Sequence, residues 1–225
     1  MHPLKNAKCS RTQDRFVSDG HEIRLETYVP HAAASGPSLL VLHSATGVPH
    51  ANRFIAGLAE LFARQGFVTH LLHYFDRTGT TFADEDAIAE SAGLWLQTVD
   101  DAAGWIRATR PAARIGLFGY SLGAHLAMRQ CVCDSRVSAA VILAGGLEGG
   151  PVPPVRHAPP VLFLHGAKDE RVLISDARQW EAALSAAGGE PEFHVYPEEE
   201  HLLSLPCYAD VVRRGTEFFR RYLID

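Results

Sequence analysis

The spacing of hydrophobic and polar positions changes several times along the chain. Continuous apolar runs, typical of strands buried on both faces, occur at 38–43, 67–74, 137–144 and 161–165. Apolar residues at helical spacing predict helices over about 50–65, 84–109, 173–187 and 208–222. Strands that alternate with helices in this way predict an α/β fold, with a mainly parallel, twisted sheet and helices on both of its faces.

The two ends of the chain and one internal loop complete this organisation. Residues 21–29 alternate well enough to predict an antiparallel edge strand, and 192–196 predict the last strand. The polar segment 1–17 is expected to be loosely ordered, and residues 18–225 are expected to form a single domain. The Gly/Pro-rich loop 145–160 is too short for a large lid domain, so we expect a fairly open site.

One stretch carries the clearest chemical signal. An apolar run that ends at Phe118 leads into Gly-Tyr-Ser-Leu-Gly at 119–123, and a helix-like segment follows. This is the G-x-S-x-G pattern of a nucleophile elbow, in which a sharp turn between a strand and a helix presents the serine. The turn forces Ser121 into a strained backbone geometry, and the flanking glycines allow neighbouring elements to approach closely. Ser121 is therefore the candidate nucleophile.

A serine hydroxyl needs a base to remove its proton and an acid to orient that base. The chain order serine, acid, histidine belongs to the α/β-hydrolase layout. Asp169 stands just after a downstream strand, as the acid should, and His201 follows the last strand, as the base should. Asp176 is the alternative acid, although it falls inside the next predicted helix. His194 is the alternative base, although it falls within a strand.

The same layout needs two backbone N–H groups to bind the oxyanion that develops on a substrate carbonyl. One is expected from Leu122, which directly follows the nucleophile. The other is expected from the loop after the strand 38–43, at Ala45, with Thr46 as the alternative.

Composition and charge narrow the classes of partner. Hydrophobic residues make up 47% of the 225 residues and the formal net charge is −5, with no basic stripe that would suggest nucleic acid. No apolar run reaches the length of about 18–20 residues that crosses a bilayer, and the first residues lack the apolar core of a signal peptide. We therefore expect a cytoplasmic protein, a monomer or a homodimer, with no nucleic-acid or membrane partner and a small-molecule substrate.

The residues that commonly bind metals are scattered. The four cysteines have no C-x-x-C spacing and are expected to be reduced; they are Cys9, Cys131, Cys133 and Cys207. His70 and His73 fall on opposite faces of a strand. The sequence therefore predicts no metal site and no cofactor.

Four motifs resemble those of the dienelactone hydrolase family of α/β-hydrolases. They are Leu-His-Ser-Ala-Thr-Gly-Val at 42–48, Gly-Leu-Phe-Gly-Tyr-Ser-Leu-Gly-Ala at 116–124, Leu-His-Gly-Ala-Lys-Asp at 164–169 and Tyr-Pro-Glu-Glu-Glu-His at 196–201. The resemblance covers the chain from about residue 18. It implies a single-domain α/β-hydrolase fold with Ser121, Asp169 and His201 as a catalytic triad, and it places the second oxyanion donor at Ala45.

The sequence departs from this family at positions that bear on the substrate. The name-giving dienelactone hydrolases use a cysteine nucleophile, and they carry a glutamate in the loop where this chain has Ser44. They also hold a substrate carboxylate with two arginines. Arg77 resembles one of the two, whereas no arginine follows His201 closely. Tyr120 beside the nucleophile and Tyr74 at a strand end are candidates for lining an acyl pocket.

The sequence therefore predicts a serine esterase that acts on small carboxylic esters or lactones through an acyl-enzyme. Two alternatives stay open at this point. The same triad also serves a thioester or amide hydrolase, or an acyltransferase. A catalytically silent protein that binds a small molecule on the same fold is the alternative from another class.

Overall fold

An eight-stranded sheet forms the centre of the molecule. The computed structural model describes residues 8–146 and 152–224. The strands are β1 (Cys9–Ser18), β2 (His21–Pro30), β3 (Ser38–Leu42), β4 (Val68–Leu72), β5 (Ile115–Tyr120), β6 (Val137–Leu143), β7 (Val161–Gly166) and β8 (Glu192–Tyr196). They lie in the order β1-β2-β4-β3-β5-β6-β7-β8. The β1–β2 and β2–β4 pairs are antiparallel, and the other neighbouring pairs are parallel.

Helices cover both faces of this sheet. They are α1 (Gly47–Arg64), α2 (Glu85–Thr109), α3 (Leu122–Cys131), α4 (Ile174–Ala186) and α5 (Leu205–Leu223), with a short 3₁₀ helix at Tyr74–Arg77. Because side chains alternate along a strand, β3 supplies both layers of the core. Leu39 and Val41 pack in the layer that contains α1 and α5, whereas Leu40 and Leu42 pack in the layer that contains α2, α3 and α4.

This architecture confirms the predicted α/β-hydrolase fold. The described residues contain no lid domain, and residues 147–151 of the predicted loop 145–160 lie outside the described ranges. No helix in the described part of the chain combines the length and the apolar character needed to span a membrane.

The prediction of a loosely ordered N-terminal segment is wrong for residues 9–17, which belong to β1; residues 1–7 lie outside the described residues. β1 pairs with β2 along its whole length, from Cys9 opposite Pro30 to Ser18 opposite His21. A two-residue Asp-Gly turn with positive φ at both positions closes this hairpin, at Asp19 and Gly20. The residues at 21–29 are therefore not an edge strand, because β2 lies between β1 and β4.

Element boundaries differ modestly from the predicted ones. The helix predicted from about residue 50 begins at Gly47, and the last helix begins at Leu205 rather than at residue 208. The strand predicted at 67–74 is shorter, because the backbone turns into the 3₁₀ helix at Tyr74. α2 runs unbroken through two glycines, and its N-cap Asp84 accepts a hydrogen bond from the Ala87 N–H at 3.0 Å.

The parallel strands end at one edge of the sheet. The loops that follow β3, β5, β7 and β8 lie at this edge and carry Ala45, Ser121, Asp169 and His201. In open α/β sheets the carboxyl ends of the strands are where ligands bind. The fold therefore gathers residues that are far apart in the sequence.

Candidate active site

Ser121 occupies the sharp turn between β5 and α3. Its φ of 55° and ψ of −119° lie in a region that residues other than glycine rarely adopt. The turn is held by hydrogen bonds on both sides: the Ser121 N–H donates to the carbonyl of Leu143 at 3.0 Å, and the Ser121 carbonyl accepts from Ala124 and His125 at 2.9 and 3.0 Å. The surrounding backbone therefore imposes the strained conformation.

The two flanking glycines are required by close backbone contacts. A Cβ atom on Gly119 would overlap the carbonyl of Gly123 and the backbone of Ala124, at the start of α3. A Cβ atom on Gly123 would overlap the carbonyls of Leu42 and His43, at the end of β3. The helix thus packs against the neighbouring strand without side chains between them, as the G-x-S-x-G pattern predicts.

Three candidate catalytic side chains form a continuous hydrogen-bonded chain. His201 Nε2 lies 3.0 Å from Ser121 Oγ, and His201 Nδ1 lies 2.8 Å from Asp169 Oδ2. Because an ionised carboxylate only accepts, Nδ1 is the donor toward Asp169, and Nε2 is left to accept the serine proton. Asp169 and His201 are buried, whereas Ser121 is half-buried. The arrangement is that of a nucleophile, a base and an orienting acid.

The Asp169 carboxylate is surrounded by donors. Oδ1 accepts backbone hydrogen bonds from Arg171 at 3.0 Å and from Val172 at 2.9 Å, which closes the turn after β7. Burial alone raises the pKa of this carboxyl. Polar contacts from His165 and His201, together with the Val172 N–H, outweigh burial and hold the pKa of Asp169 well below its usual range. The acid is therefore ionised at neutral pH.

The alternative acid and base lie elsewhere. Asp176 is in the first turn of α4, where its carboxylate contacts Ser175 and Gln179 at 3.4 Å. His194 lies on β8 with Nε2 4.0 Å from Asp210 Oδ2, on a half-exposed part of the strand. The described hydrogen bonds connect neither residue to Ser121.

The two candidate oxyanion donors lie on either side of the elbow. Leu122 is the first residue of α3, and Ala45 is in the loop between β3 and α1. The Ala45 carbonyl accepts a hydrogen bond from the Ala83 N–H at 2.9 Å, which anchors this loop. Thr46, the alternative donor, is exposed and lies beside Ser44, with 2.8 Å between their hydroxyl oxygens.

His43 supports this loop through a hydrogen bond to its backbone, a role that the sequence did not predict. Its Nδ1 donates to the carbonyl of Ser44 at 2.8 Å, because a carbonyl only accepts. Burial lowers the pKa of His43 to about 3, so the ring is neutral. The ring stacks on Tyr74 with 4.0 Å between centroids, and the Tyr74 hydroxyl donates to the His43 carbonyl at 2.7 Å. Tyr74 therefore packs behind the loop, in the core.

Tyr120 contacts the base. Its hydroxyl donates to the carbonyl of His201 at 3.2 Å, and its ring stacks on the imidazole with 5.6 Å between centroids. Tyr208 on α5 accepts a hydrogen bond from the Leu203 N–H at 3.2 Å and so holds the same loop. Both tyrosines therefore hold the segment that carries His201, and Tyr208 is a second residue that the sequence did not reveal.

The contacts of Arg77 argue against the predicted role as a clamp for a substrate anion. Its Nη1 donates to the carbonyls of Ser18 and Asp19, each at 2.9 Å, and its Nη2 pairs with the Asp19 carboxylate at 2.5 Å. The guanidinium is buried against the β1–β2 turn. The signal missed in the sequence is the Asp-Gly turn itself, which brings backbone carbonyls to this arginine.

This chain matches a family model over most of its length. Residues 25–204 match the model of the dienelactone hydrolase family. The chain belongs to this family.

Individual relatives are distant in sequence. A Methylorubrum extorquens protein described as a carboxymethylenebutenolidase is 28% identical over 188 residues, which are 75% of this chain. The chain spans 63% of the length of that relative.

Solved structures share the fold. A protein from Klebsiella pneumoniae subsp. pneumoniae described as a dienelactone hydrolase has a TM-score of 0.79 at 22% identity, over 96% of this chain and 100% of that one. A dienelactone hydrolase-like promiscuous phosphotriesterase from metagenomic libraries has a TM-score of 0.83 at 14% identity, over 97% and 100%. At these identities the likeness concerns the fold alone.

Proposed function

We propose that this chain is a serine hydrolase that cleaves small carboxylic esters or lactones through an acyl-enzyme intermediate. The observation that carries the proposal is the hydrogen-bonded chain from Ser121 through His201 to Asp169, with distances of 3.0 and 2.8 Å. The continuous sheet that positions all three residues supports one domain as the catalytic unit.

The reaction begins when Ser121 Oγ attacks the substrate carbonyl carbon and His201 Nε2 takes the hydroxyl proton. The Asp169 carboxylate stabilises the imidazolium that forms. The N–H groups of Leu122 and Ala45 bind the oxyanion, and the N-terminal end of α3 adds a favourable dipole. His201 then donates its proton to the leaving alkoxide, and the acyl group stays on Ser121.

Water completes the cycle. His201 Nε2 removes a proton from a water molecule, which attacks the acyl carbon through a second tetrahedral intermediate. The intermediate collapses, the carboxylic acid leaves and Ser121 recovers its proton. An acyltransferase would use an alcohol or amine at this step in place of water.

Exposed leucines near the site support an apolar, uncharged substrate. Leu202 directly follows His201 and is 67% exposed, and Leu205 at the start of α5 is 84% exposed. Leu173, after the turn that holds Asp169, is 54% exposed. Apolar side chains beside a candidate site favour contact with apolar groups of a ligand. Because Arg77 is bound to a turn, esters without a carboxylate are the favoured class.

The test uses a fluorophosphonate probe together with short-chain aryl esters, a thioester and an anilide. The protein should form a covalent adduct and hydrolyse the esters. Ser121→Ala should abolish labelling and lower ester turnover by at least about 10⁴-fold, because the attacking atom is removed. Ser175→Ala is the matched control, since Ser175 is an exposed serine on α4 and should leave both signals unchanged.

The outcomes separate the alternatives. Preferred turnover of the thioester or the anilide would reassign the substrate and keep the nucleophile. Folded protein that neither labels nor hydrolyses any substrate would contradict the proposal. Saturable binding of a small molecule without turnover would then support the silent binding protein.

A further inference from the structure

His165 is a buried histidine beside the candidate acid, and the proposed reaction does not use this histidine. It lies on β7, four residues before Asp169, and is 1% exposed. Its Nε2 lies 2.9 Å from the carbonyl oxygen of Val172 and 3.3 Å from Asp169 Oδ2. Because a carbonyl oxygen only accepts, the Val172 contact fixes the proton on Nε2. The N–H therefore donates to the Val172 carbonyl, and Asp169 Oδ2 lies 3.3 Å from the same nitrogen.

These contacts join the two ends of the turn that holds Asp169. The Val172 N–H donates to Asp169 Oδ1 at 2.9 Å, while the Val172 carbonyl accepts from His165. Asp169 Oδ2 lies between two imidazoles, with His201 Nδ1 at 2.8 Å on one side and His165 Nε2 at 3.3 Å on the other. The polar N–H of His165 thus lies beside the carboxylate oxygen that accepts the hydrogen bond from His201.

We propose that His165 is a positioning residue that, through Asp169, lowers the proton affinity of His201. The proposal rests on the proposed function, in which His201 is the base. Because Nε2 of His165 lies 3.3 Å from Oδ2, its positively polarised N–H offsets part of the negative charge that would otherwise stabilise the His201 imidazolium. The bond to the Val172 carbonyl also keeps the turn from Asp169 to Val172 closed.

Other ionisable groups near this pair are left intact by the test. Arg171 is exposed on the same turn, and Tyr120 on β5 and Tyr208 on α5 face the His201 segment. Glu199 lies on the same loop as His201 and is bound by the N–H and the hydroxyl of Ser204. A change in the behaviour of His201 on substitution of His165 therefore reports on the lost N–H.

The experiment compares two variants of the full chain. His165→Leu removes the donor and keeps an apolar side chain, whereas His165→Gln keeps an N–H donor close to the position of Nε2. We expect the acid limb of the kcat/KM profile for a short-chain aryl ester to move upward by about half a pH unit in His165→Leu. His165→Gln should keep the wild-type midpoint.

A readout without turnover separates this proposal from the proposed function. The His201 imidazole is titrated by ¹⁵N NMR in a Ser121→Ala background, alone and combined with each His165 substitution. The same upward shift with leucine, but not with glutamine, supports the proposal whether or not the wild type hydrolyses esters. If the leucine variant does not fold, His165→Asn replaces it as the variant without the donor, because its shorter side chain does not reach the Val172 carbonyl.

Two results would overturn the inference. One is an unchanged midpoint in every variant, with activity that simply follows the unfolding free energy, which would leave His165 a packing residue. The other is an equal shift in the glutamine variant, which would assign the effect to the loss of the ring rather than to the N–H.

Discussion

At the scale of single residues, the chemistry of the site depends on which atom of each group carries a proton. Asp169 accepts from two backbone N–H groups through Oδ1, which fixes the plane of its carboxylate. Oδ2 is then directed at His201 Nδ1. This contact selects the imidazole tautomer whose Nε2 faces Ser121 as an acceptor. The orientation of one carboxylate therefore determines whether the serine can lose its proton.

Substitution of Asp169 by asparagine tests this dependence. An amide N–H directed at His201 favours the tautomer with the proton on Nε2, which cannot accept the Ser121 proton. We expect kcat for an aryl ester to fall by about 10³–10⁴-fold with little change in KM. Asp176→Asn is the matched control and should keep wild-type activity, because Asp176 lies in α4 away from His201. Equal loss in both variants, or in neither, would contradict the role of Asp169.

The sequence predicted these side chains but not their supporting contacts. Ser121, Asp169 and His201 each follow a strand, so the carboxyl ends of a parallel sheet bring them together. His43 and His165 donate hydrogen bonds to backbone carbonyls of loops. Every residue carries such a carbonyl, so residue types alone do not show which one a histidine binds. Their roles therefore depend on loop geometry, which no spacing of residue types encodes.

At the scale of elements, the β1–β2 hairpin is joined to the rest of the sheet by the pairing of β2 with β4, and Arg77 adds a side-chain connection at the hairpin turn. This residue ends the 3₁₀ helix after β4 and reaches the hairpin turn, where it binds two carbonyls and a carboxylate. Buried donors of this kind stabilise a fold chiefly because the paired groups would be left unsatisfied without them. The arginine thus anchors the outer strand.

Replacement of Arg77 by methionine should therefore affect stability rather than substrate choice. We expect the free energy of unfolding to fall by about 1–3 kcal/mol, because the buried carbonyl of Ser18 loses its donor. The ratio of kcat/KM for an ester with a carboxylate to that for its uncharged analogue should stay the same. Urea unfolding and the paired kinetics check both statements.

The matched control is Arg107→Met, since Arg107 is an exposed arginine on α2 and should change neither quantity. A rise in KM confined to the carboxylate-bearing ester, with stability unchanged, would restore the role of Arg77 as an anion clamp.

The outer strand was also what the sequence failed to predict. Residues 9–17 are polar because most of β1 is exposed, so the burial signal that marks β3 and β5 is missing. The Asp-Gly pair at 19–20 was the available clue, because this dipeptide favours the tight turn of a hairpin. Strands buried on both faces were predicted well, because a continuous apolar run identifies such a strand whichever strands lie beside it.

At the scale of the whole molecule, several histidines are buried in the core. His43 and His70 are 1% exposed, and burial lowers the pKa of each to about 3. In the unfolded chain a histidine titrates near about 6.5. Below that pH the unfolded state binds protons that the folded state does not. The stability from these two residues is therefore complete above about pH 6.5 and is lost as the pH falls toward about 3.

Urea unfolding at pH 7, 6, 5 and 4 measures this effect. We expect the free energy of unfolding to change little from pH 7 to 6.5 and then to approach a fall of about 1.4 kcal/mol per pH unit for each of the two histidines between about pH 6 and pH 4. His70→Asn should reduce the slope by the contribution of one group, while the amide keeps a partner for the Thr27 hydroxyl that His70 Nδ1 contacts at 3.1 Å. A stability that is flat from pH 7 to 5 would contradict the neutral, buried state of both rings.

The order of strands was the part of the overall architecture that the sequence left open. The alternation of strands and helices predicts a mainly parallel sheet with helices on both faces, and the structure has one. That β4 lies between β2 and β3 depends on how the connections cross the sheet. This is a long-range property, and local patterns of apolar residues do not record it.

The turn at Ser121 also bears on how this chain can change over evolutionary time. Its φ of 55° goes with backbone hydrogen bonds on both sides and with the close contacts at Gly119 and Gly123, and the side chain of Ser121 makes no capping hydrogen bond to α3. A mutation at this position therefore exchanges the attacking atom without requiring the scaffold to refold. An oxygen and a sulfur nucleophile are therefore one substitution apart. Lineages with this fold can exchange one for the other while both layers of the core stay the same.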